Sequence, residues 1–260
     1  MDHEIKLKIA SHTVTRPDSP GFDESPVGVA AAVAVDALNE ATAARQAVLN
    51  DPLLSNEGKR RKIVPIEDAL WTTYGRQAEA VTAFGQAADA REAHLYRLLP
   101  VAPDPAMTPY DIALDAETRG WWRGLDADGR SKALKAIRAD DKAHAGAIRA
   151  LLRTPVPLDL ADHETRILRE MFEDSRRLAN PEEAARVDMD REHLAIAERL
   201  IAQIRGIGFA ALPDWNAGRL LTFLLDKGMD SAAVAIFGAA DVAKAQQQRK
   251  ARARVQKLAA

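Results

Sequence analysis

Two Asp-x-x-His pairs come closest to a known chemistry in this sequence. They are Asp141 with His144 and Asp190 with His193. On a helix, residues three apart share a face, and di-metal helical bundles take ligands from such pairs on two helices. Those sites use Glu-x-x-His and a further glutamate from each of two other helices, whereas both pairs here carry the shorter aspartate. We therefore expect polar residues on charged helix faces, with no metal and no other cofactor.

The remaining residues that could do chemistry are isolated from one another. The chain has no cysteine, which excludes disulfides, thiolate nucleophiles and cysteine-type zinc sites. His94 and His163 stand without a serine, threonine or third group placed to form a triad. The glycines of "GIG" at 206–208 follow a helical pattern, whereas a phosphate-binding loop follows a strand, so we predict that a helix ends at Gly206. These patterns favour a protein that is not an enzyme.

Charge is concentrated in two segments of opposite sign. Residues 241–260 hold six basic side chains and one acid, a net of +5, and residues 159–199 hold twelve acids and seven arginines, a net of −5. Clustered bases bind DNA phosphates through counterion release, they pair with acidic surfaces of neighbouring subunits, and many are only solvated faces. We favour docking on a neighbouring subunit and keep DNA as a possible partner. The side chains assigned to this contact are Arg249, Lys250, Arg252, Arg254 and Lys257.

The segment "GWWRGL" (120–125) places two tryptophans side by side in a chain whose aromatic content is only 5%. Adjacent helical residues point about 100° apart, so Trp121 and Trp122 cannot fill the same groove. One interpretation puts one ring in the core and leaves the other for a second layer, such as another subunit. The alternative puts both rings in the core of one chain. We assign both tryptophans to partner binding.

The first 26 residues differ in pattern from the rest. "EIKLKIA" alternates strictly, with Ile5, Leu7 and Ile9 on one side, which is typical of a strand. The proline-rich "RPDSPGFDESP" that follows indicates an extended arm. No second strand is evident, and a lone strand leaves its backbone groups unpaired. We therefore expect these three residues to face the apolar surface of another chain, with the strand added to a sheet edge there.

The rest of the chain predicts helices. Hydrophobic residues make up 47% of the sequence with alanine prominent among them, which favours helices packed through small side chains. The predicted fold is all-α, with multi-helix bundle-like domains, an extended N-terminal arm carrying one lone strand, and a basic helical tail. The predicted segments are an arm at 1–26, a helical segment at 27–99, a proline-rich linker at 100–109, a helical domain at 110–229 and the tail at 230–260. No signal-peptide pattern and no membrane-spanning run is evident, so we expect no export and no membrane partner.

Several phrases resemble a known group of proteins. They are "NDPLLSNEGKRRKI" (50–63), "ALDAETRGWWRGLDADGRSKALKAI" (113–137), "AIRALLRTP" (147–155) and "LANPEEAARV" (178–187). Together with the charged helix between the last two, they resemble α-helical proteins of unassigned function from structural gene clusters of tailed bacteriophages. The resemblance extends over about two-thirds of the chain, excluding the arm and the Trp pair. It implies a virion component or assembly factor and carries over no catalytic residues.

The sequence therefore predicts a non-enzymatic structural or assembly component of a bacteriophage virion. It would be assembled in the host cytoplasm and would contact other virion proteins or copies of itself. A DNA-associated helical protein inside the particle is the first alternative, because of the basic tail. A helical metal-dependent enzyme that uses the Asp-x-x-His pairs is the second.

Overall fold

The protein is all-α apart from one small sheet. This computed structural model describes residues 4–98, 108–140, 144–152, 158 and 160–259, with side chains described as far as residue 251. Within those ranges there are ten helices and two strands, which confirms the predicted fold class. The elements are β1 (Glu4–Ile9), β2 (His12–Pro17), α1 (Pro26–Asn50), α2 (Asn56–Leu95), α3 (Pro109–Arg123), α4 (Ala127–Ala139), α5 (Ala145–Leu152), α6 (Asp162–Ala179), α7 (Pro181–Ala211), α8 (Ala217–Asp226), α9 (Asp230–Phe237) and α10 (Ala239–Ala259).

The helices form two compact units that are not consecutive along the chain. Unit 1 comprises Met1–Ala88 and Met189–Ala260, and unit 2 comprises Asp89–Asp188, so both boundaries fall inside the long helices α2 and α7. This partition differs from the predicted series of consecutive segments, because α8, α9 and α10 complete the core that the sheet, α1 and α2 begin. The predicted linker at 100–109 lies outside the described residues as far as position 107, and Pro109 begins α3.

The predicted N-terminal strand pairs with a second strand that the sequence pattern did not reveal. β1 and β2 are antiparallel, with Ile9 opposite His12 across a two-residue turn. Ala10 in that turn has φ 51°, a conformation that glycine or asparagine usually supplies, so the sequence carried no turn signal. Asn39 of α1 holds the turn, because its Oδ1 accepts from Ala10 N at 2.6 Å and its Nδ2 donates to a β1 carbonyl at 3.2 Å. The predicted arm is therefore a hairpin tied to α1.

The inward face of β2 explains why this strand escaped notice. Val14 is its one buried apolar residue, and the next inward position is Arg16, which is also buried. The Arg16 guanidinium lies 4.7 Å from the ring centroid of Phe22 and donates to Asp23 at 2.6 Å. An ion pair and an aromatic ring thus replace the apolar alternation by which strands are recognised.

Trp71 lies at the centre of the aromatic part of the unit 1 core. Its ring centroid is 5.5 Å from that of Tyr74, 5.3 Å from that of Phe209 and 5.4 Å from that of Trp215. The Tyr74 hydroxyl donates to the carbonyl of Ile201 at 3.1 Å, and burial raises the pKa of Tyr74 to about 12. α2 and α7 are therefore joined through the core by both ring packing and a hydrogen bond.

The predicted helix end at Gly206 is wrong, because α7 continues through "GIG" to Ala211. A packing requirement accounts for the second glycine of this motif. A Cβ added at Gly208 would lie 2.9 Å from the Trp71 ring, closer than side chains approach one another. Gly208 is thus required for close helix packing, whereas a Cβ at Gly206 would meet nothing within 4 Å.

Helix α1 is long and apolar enough to cross a membrane by length and composition alone, which the sequence pattern did not lead us to expect. Its most apolar 18-residue window has a mean hydropathy of 1.3. Core helices of soluble proteins meet the same criterion. α1 contributes Val27, Ala30, Ala34 and Leu38 to the unit 1 core, and 39% of that window is buried within the protein.

Unit 2 has a core of its own, built from α3, α4, α5 and α6. Its largest fully buried side chain is Trp122, which packs with residues of all four helices. The other buried members are Ala133, Leu134, Ile137, Ile148, Leu151, Leu158, Leu168, Met171 and Phe172. Trp122 therefore anchors α3 to the rest of the unit.

We predict opposite effects for two Gly→Ala substitutions in α7. Gly208→Ala should lower the free energy of unfolding by up to about 2 kcal/mol, because overpacking against Trp71 costs about 1–3 kcal/mol and better helix propensity returns about 1. Gly206→Ala, the matched control, should raise it by about 0.5–1 kcal/mol. Urea unfolding monitored by circular dichroism measures both. Equal effects of the two substitutions would contradict the packing role of Gly208.

Candidate interaction surface

The local sequence determines where α3, the helix that carries the Trp pair, begins. Thr108 and Asp111 form a capping box, in which Thr108 Oγ1 accepts from Asp111 N at 3.2 Å and the Asp111 carboxylate accepts from Thr108 N at 2.8 Å. Pro109 occupies the first turn, where its missing N–H costs nothing. This start sets which residues of the helix face inward.

The inner face of α3 holds one aromatic ring and one ion pair. Trp122 is fully buried, and its ring lies 5.8 Å from the guanidinium of Arg130 on α4. Two turns towards the N-terminus, Asp115 is also buried, and its Oδ2 lies 3.7 Å from Arg119 Nη1. An isolated buried carboxylate is costly, so the arginine one turn away compensates for its burial.

Trp122 is the large apolar residue of α3 that faces inward; Ile112 is exposed on the side of the helix opposite Trp121, and three others are exposed on one flank. Tyr110 is 74% exposed, Leu114 45% and Trp121 48%. At 100° per residue, Leu114 lies 40° around the helix from Tyr110, and Trp121 lies between them, so all three fall within an arc of about 40°. We call these three residues the α3 stripe. It covers eleven residue steps, or about 16 Å along the helix axis.

The Trp pair is divided between this stripe and the core. The two ring centroids are 6.1 Å apart and the ring planes are inclined at 69°. Trp122 points into the core and Trp121 is about half exposed. Of the two interpretations of the Trp pair, this matches the one in which one ring is buried and the other is left for a further contact. Trp122, assigned above to partner binding, instead belongs to the core of unit 2.

The hairpin residues assigned to a partner face their own chain instead. Ile9 is fully buried in the unit 1 core and Leu7 packs against that core, while Ile5 is half-buried. The physical reason is the pairing of β1 with β2, which gives this face a core within the same unit. For Ile9 and Leu7 the partner surface that we expected is therefore replaced by the core of unit 1.

The basic tail is helical, and its first half packs on neighbouring elements. α10 contacts α9, with Val242 buried and Gln246 Nε2 donating to Asp230 at 2.6 Å. Arg249 forms an ion pair with Asp226 of the same chain. Lys250 is exposed. The side chains of Arg252, Arg254 and Lys257 lie outside the described residues.

The two Asp-x-x-His pairs belong to different units, His144 to unit 2 and His193 to unit 1. His193 is buried, with Nε2 3.1 Å from the carbonyl oxygen of Pro20 and its ring packed edge-on against Phe22. His144 is exposed, and Asp141 lies outside the described residues. Within the part of the chain that the structure describes, no group of three or more His, Asp and Glu side chains is placed to hold a metal ion.

The buried carboxylate of Glu67 has a structural setting. Its Oε2 accepts from Trp215 Nε1 at 2.7 Å, and its Oε1 accepts from Arg45 Nε at 3.3 Å. Both oxygens are thus committed to α1 and to the turn before α8. The Glu67 carboxylate therefore links these elements within unit 1.

Comparisons of the chain with protein-family models, with curated proteins and with solved structures found no match.

Two members of the α3 stripe were not identified from the sequence. Tyr110 and Leu114 look like core residues of an amphipathic helix, and the usual rule places apolar side chains inside. The signal that could have identified them is the inward position of Trp122. When Trp122 faces the core, the rotation of the helix places Asp115, seven residues earlier, on the same inward face. Tyr110 and Leu114 then lie on the exposed flank.

We predict that the two tryptophans differ sharply in their contribution to stability. Trp122→Ala should lower the free energy of unfolding by about 3–5 kcal/mol, because it empties a buried site. Trp121→Ala should change it by less than about 1 kcal/mol, as surface substitutions do. Urea unfolding monitored by far-ultraviolet circular dichroism distinguishes them. A loss for Trp121→Ala as large as that for Trp122→Ala would show that both rings stabilise one core.

Proposed function

We propose that this protein is a non-catalytic structural or assembly component of a bacteriophage virion. It acts through contacts with other virion proteins or with copies of itself, and it is assembled in the host cytoplasm. The α3 stripe is the surface through which it makes at least one of these contacts.

The observation that carries the proposal is the outward placement of Tyr110, Leu114 and Trp121. They lie on a helix whose Asp115 faces inward. Exposed apolar side chains grouped on one flank are typical of protein-binding surfaces. Tyrosine and tryptophan are also the residues most often found at the energetic centres of such surfaces. The helix is held by Trp122, so the stripe is presented on a rigid element and little order has to be gained on binding.

The assignment to a virion is supported by the resemblance to helical proteins of phage structural gene clusters. That resemblance includes the α3–α4 segment, 113–137, although the Trp pair is not part of the resembling pattern. Quantitative mass spectrometry of purified particles, from a phage whose genome carries this sequence, tests the assignment. We expect the chain at a constant whole-number ratio to the major capsid or tail protein, and its absence from particles would contradict the proposal.

A substitution in the stripe tests its role in assembly. Trp121→Glu should leave stability within about 1 kcal/mol of the wild-type value, because the ring is half exposed. It should remove the chain from particles, or weaken partner binding by about 30-fold or more, the equivalent of at least 2 kcal/mol.

The matched control is Ile112→Glu, which introduces the same charge at an exposed residue of the same helix. Ile112 lies about 180° around α3 from Trp121, so this variant should assemble normally. Loss of incorporation with both variants would indicate a general intolerance of charge on α3. Normal incorporation of Trp121→Glu would contradict the proposed role of the stripe.

The basic tail supports DNA as a second candidate partner, since residues 241–260 carry a net charge of +5. We expect weak binding, because Arg249 already pairs with Asp226. If the tail instead made five or six phosphate contacts, a plot of log affinity against log salt would have a slope of about −5. Binding of duplex DNA by the full chain and by a chain lacking 244–260 decides this. A steep slope that depends on the tail would favour DNA.

A further inference from the structure

The α3 stripe has acidic residues on both sides. By the rotation of 100° per residue, Glu117 lies about 20° beyond Tyr110, and Asp111 lies about 60° beyond Leu114 on the other side. Glu117 is exposed, and Asp111 is half-buried with its carboxylate at the start of the helix. A segment that covers this stripe therefore fits best if its apolar residues are flanked by basic ones.

Helix α10 is much longer than α9, with which it makes contact. It has 21 residues, or about 31 Å, whereas α9 has 8 residues, or about 12 Å. The contacts described for α10 reach as far as Arg249, and the next two residues, Lys250 and Ala251, are exposed. The helix itself continues from there to Ala259.

The sequence of that extension has the complementary pattern. Positions 251, 255 and 258, occupied by Ala, Val and Leu, fall within an arc of about 60° on a helix. Arg252 lies about 60° beyond one edge of this arc, and Arg254 lies about 40° beyond the other. The extension is therefore an amphipathic helix whose apolar positions are flanked by arginines, as the α3 stripe is flanked by acids.

We propose that residues 249–259 of α10 in one copy of the chain dock on the α3 stripe of a second copy. This inference rests on the proposed function, because it names the occupant of the same surface. The contact joins two different surfaces, so the copy whose tail is docked retains a free stripe and the other copy retains a free tail. Contacts of this kind build rings when the rotation closes and open filaments when it does not.

Mixing two disabled variants tests the head-to-tail arrangement. The first is Trp121→Glu, which retains the tail, and the second lacks residues 249–260 and retains the stripe. We expect the full chain to associate with increasing concentration in sedimentation velocity, each variant alone to remain monomeric, and an equimolar mixture to form a dimer that grows no further. Raising the salt from about 0.05 M to 0.5 M should weaken association by about tenfold or more, because screening shortens the range of the charge pairs.

The other outcomes identify what has failed. Association of the tail-deleted chain with itself would show that stripes pair with stripes, and it would overturn the docking of the tail. A full chain that stays monomeric at all concentrations would also overturn it. If the Trp121→Glu chain is then still lost from particles, the stripe binds a different virion protein, and the proposed function stands without this inference.

A peptide gives an independent measurement. A synthetic peptide of residues 246–260, added to the tail-deleted chain, should shift the tryptophan emission to shorter wavelength as Trp121 loses contact with water. A peptide of the same composition in scrambled order is the control, and Trp121→Phe in the tail-deleted chain should remove the shift. A response of equal size to both peptides, or none to either, would contradict docking on the stripe.

Discussion

The burial of one tryptophan ring, Trp122, is the constraint on which the arrangement of unit 2 depends. Because neighbouring residues of a helix diverge by about 100°, a ring committed to the core at this position directs Trp121 outward. The same rotation carries Asp115 into the core beside Arg119 and places Tyr110 and Leu114 on the flank. The surface proposed for assembly is thus a geometric consequence of the core. The interior of unit 2 therefore determines which residues of α3 a partner can reach.

Unit 1 shows a related use of close packing. The chain leaves this unit inside α2 and re-enters it inside α7, and the two helices are joined there by Trp71, Tyr74 and Phe209. Gly208 permits the approach that this requires. The last three helices then complete the core, and Arg249 ties the tail to Asp226.

Features that depend on residues close together in the chain could be predicted from the sequence. The all-α class followed from the alanine-rich composition, the helix start at Thr108 from its cap and proline, and the strand over Ile5–Ile9 from strict alternation. The divergence of the Trp pair followed from helix geometry alone. For the candidate surface, the sequence left two interpretations of the Trp pair open, and the burial of the two rings matches the one that separates them.

What could not be predicted depends on contacts between residues distant in the chain. β2 carries a buried arginine where an apolar residue is expected, and it is held through Phe22 and through the Asn39 clamp at the turn. Gly208 of α7 lies against Trp71, more than a hundred residues away in sequence, so the local pattern does not show why a glycine stands there. The remaining residues of the α3 stripe appear only when the inward face of α3 is known. In each case a tertiary contact overrides the local pattern.

The central claim is that Trp121 is exposed in the isolated chain and covered in the assembly, while Trp122 is buried in both. Hydroxyl-radical footprinting with mass spectrometry measures this for each residue, since fragment ions separate the two adjacent positions. The account predicts fast oxidation of Trp121 in the isolated chain, strong protection of it in assembled particles, and slow oxidation of Trp122 in both. Equal oxidation of Trp121 in the isolated and assembled states would contradict it.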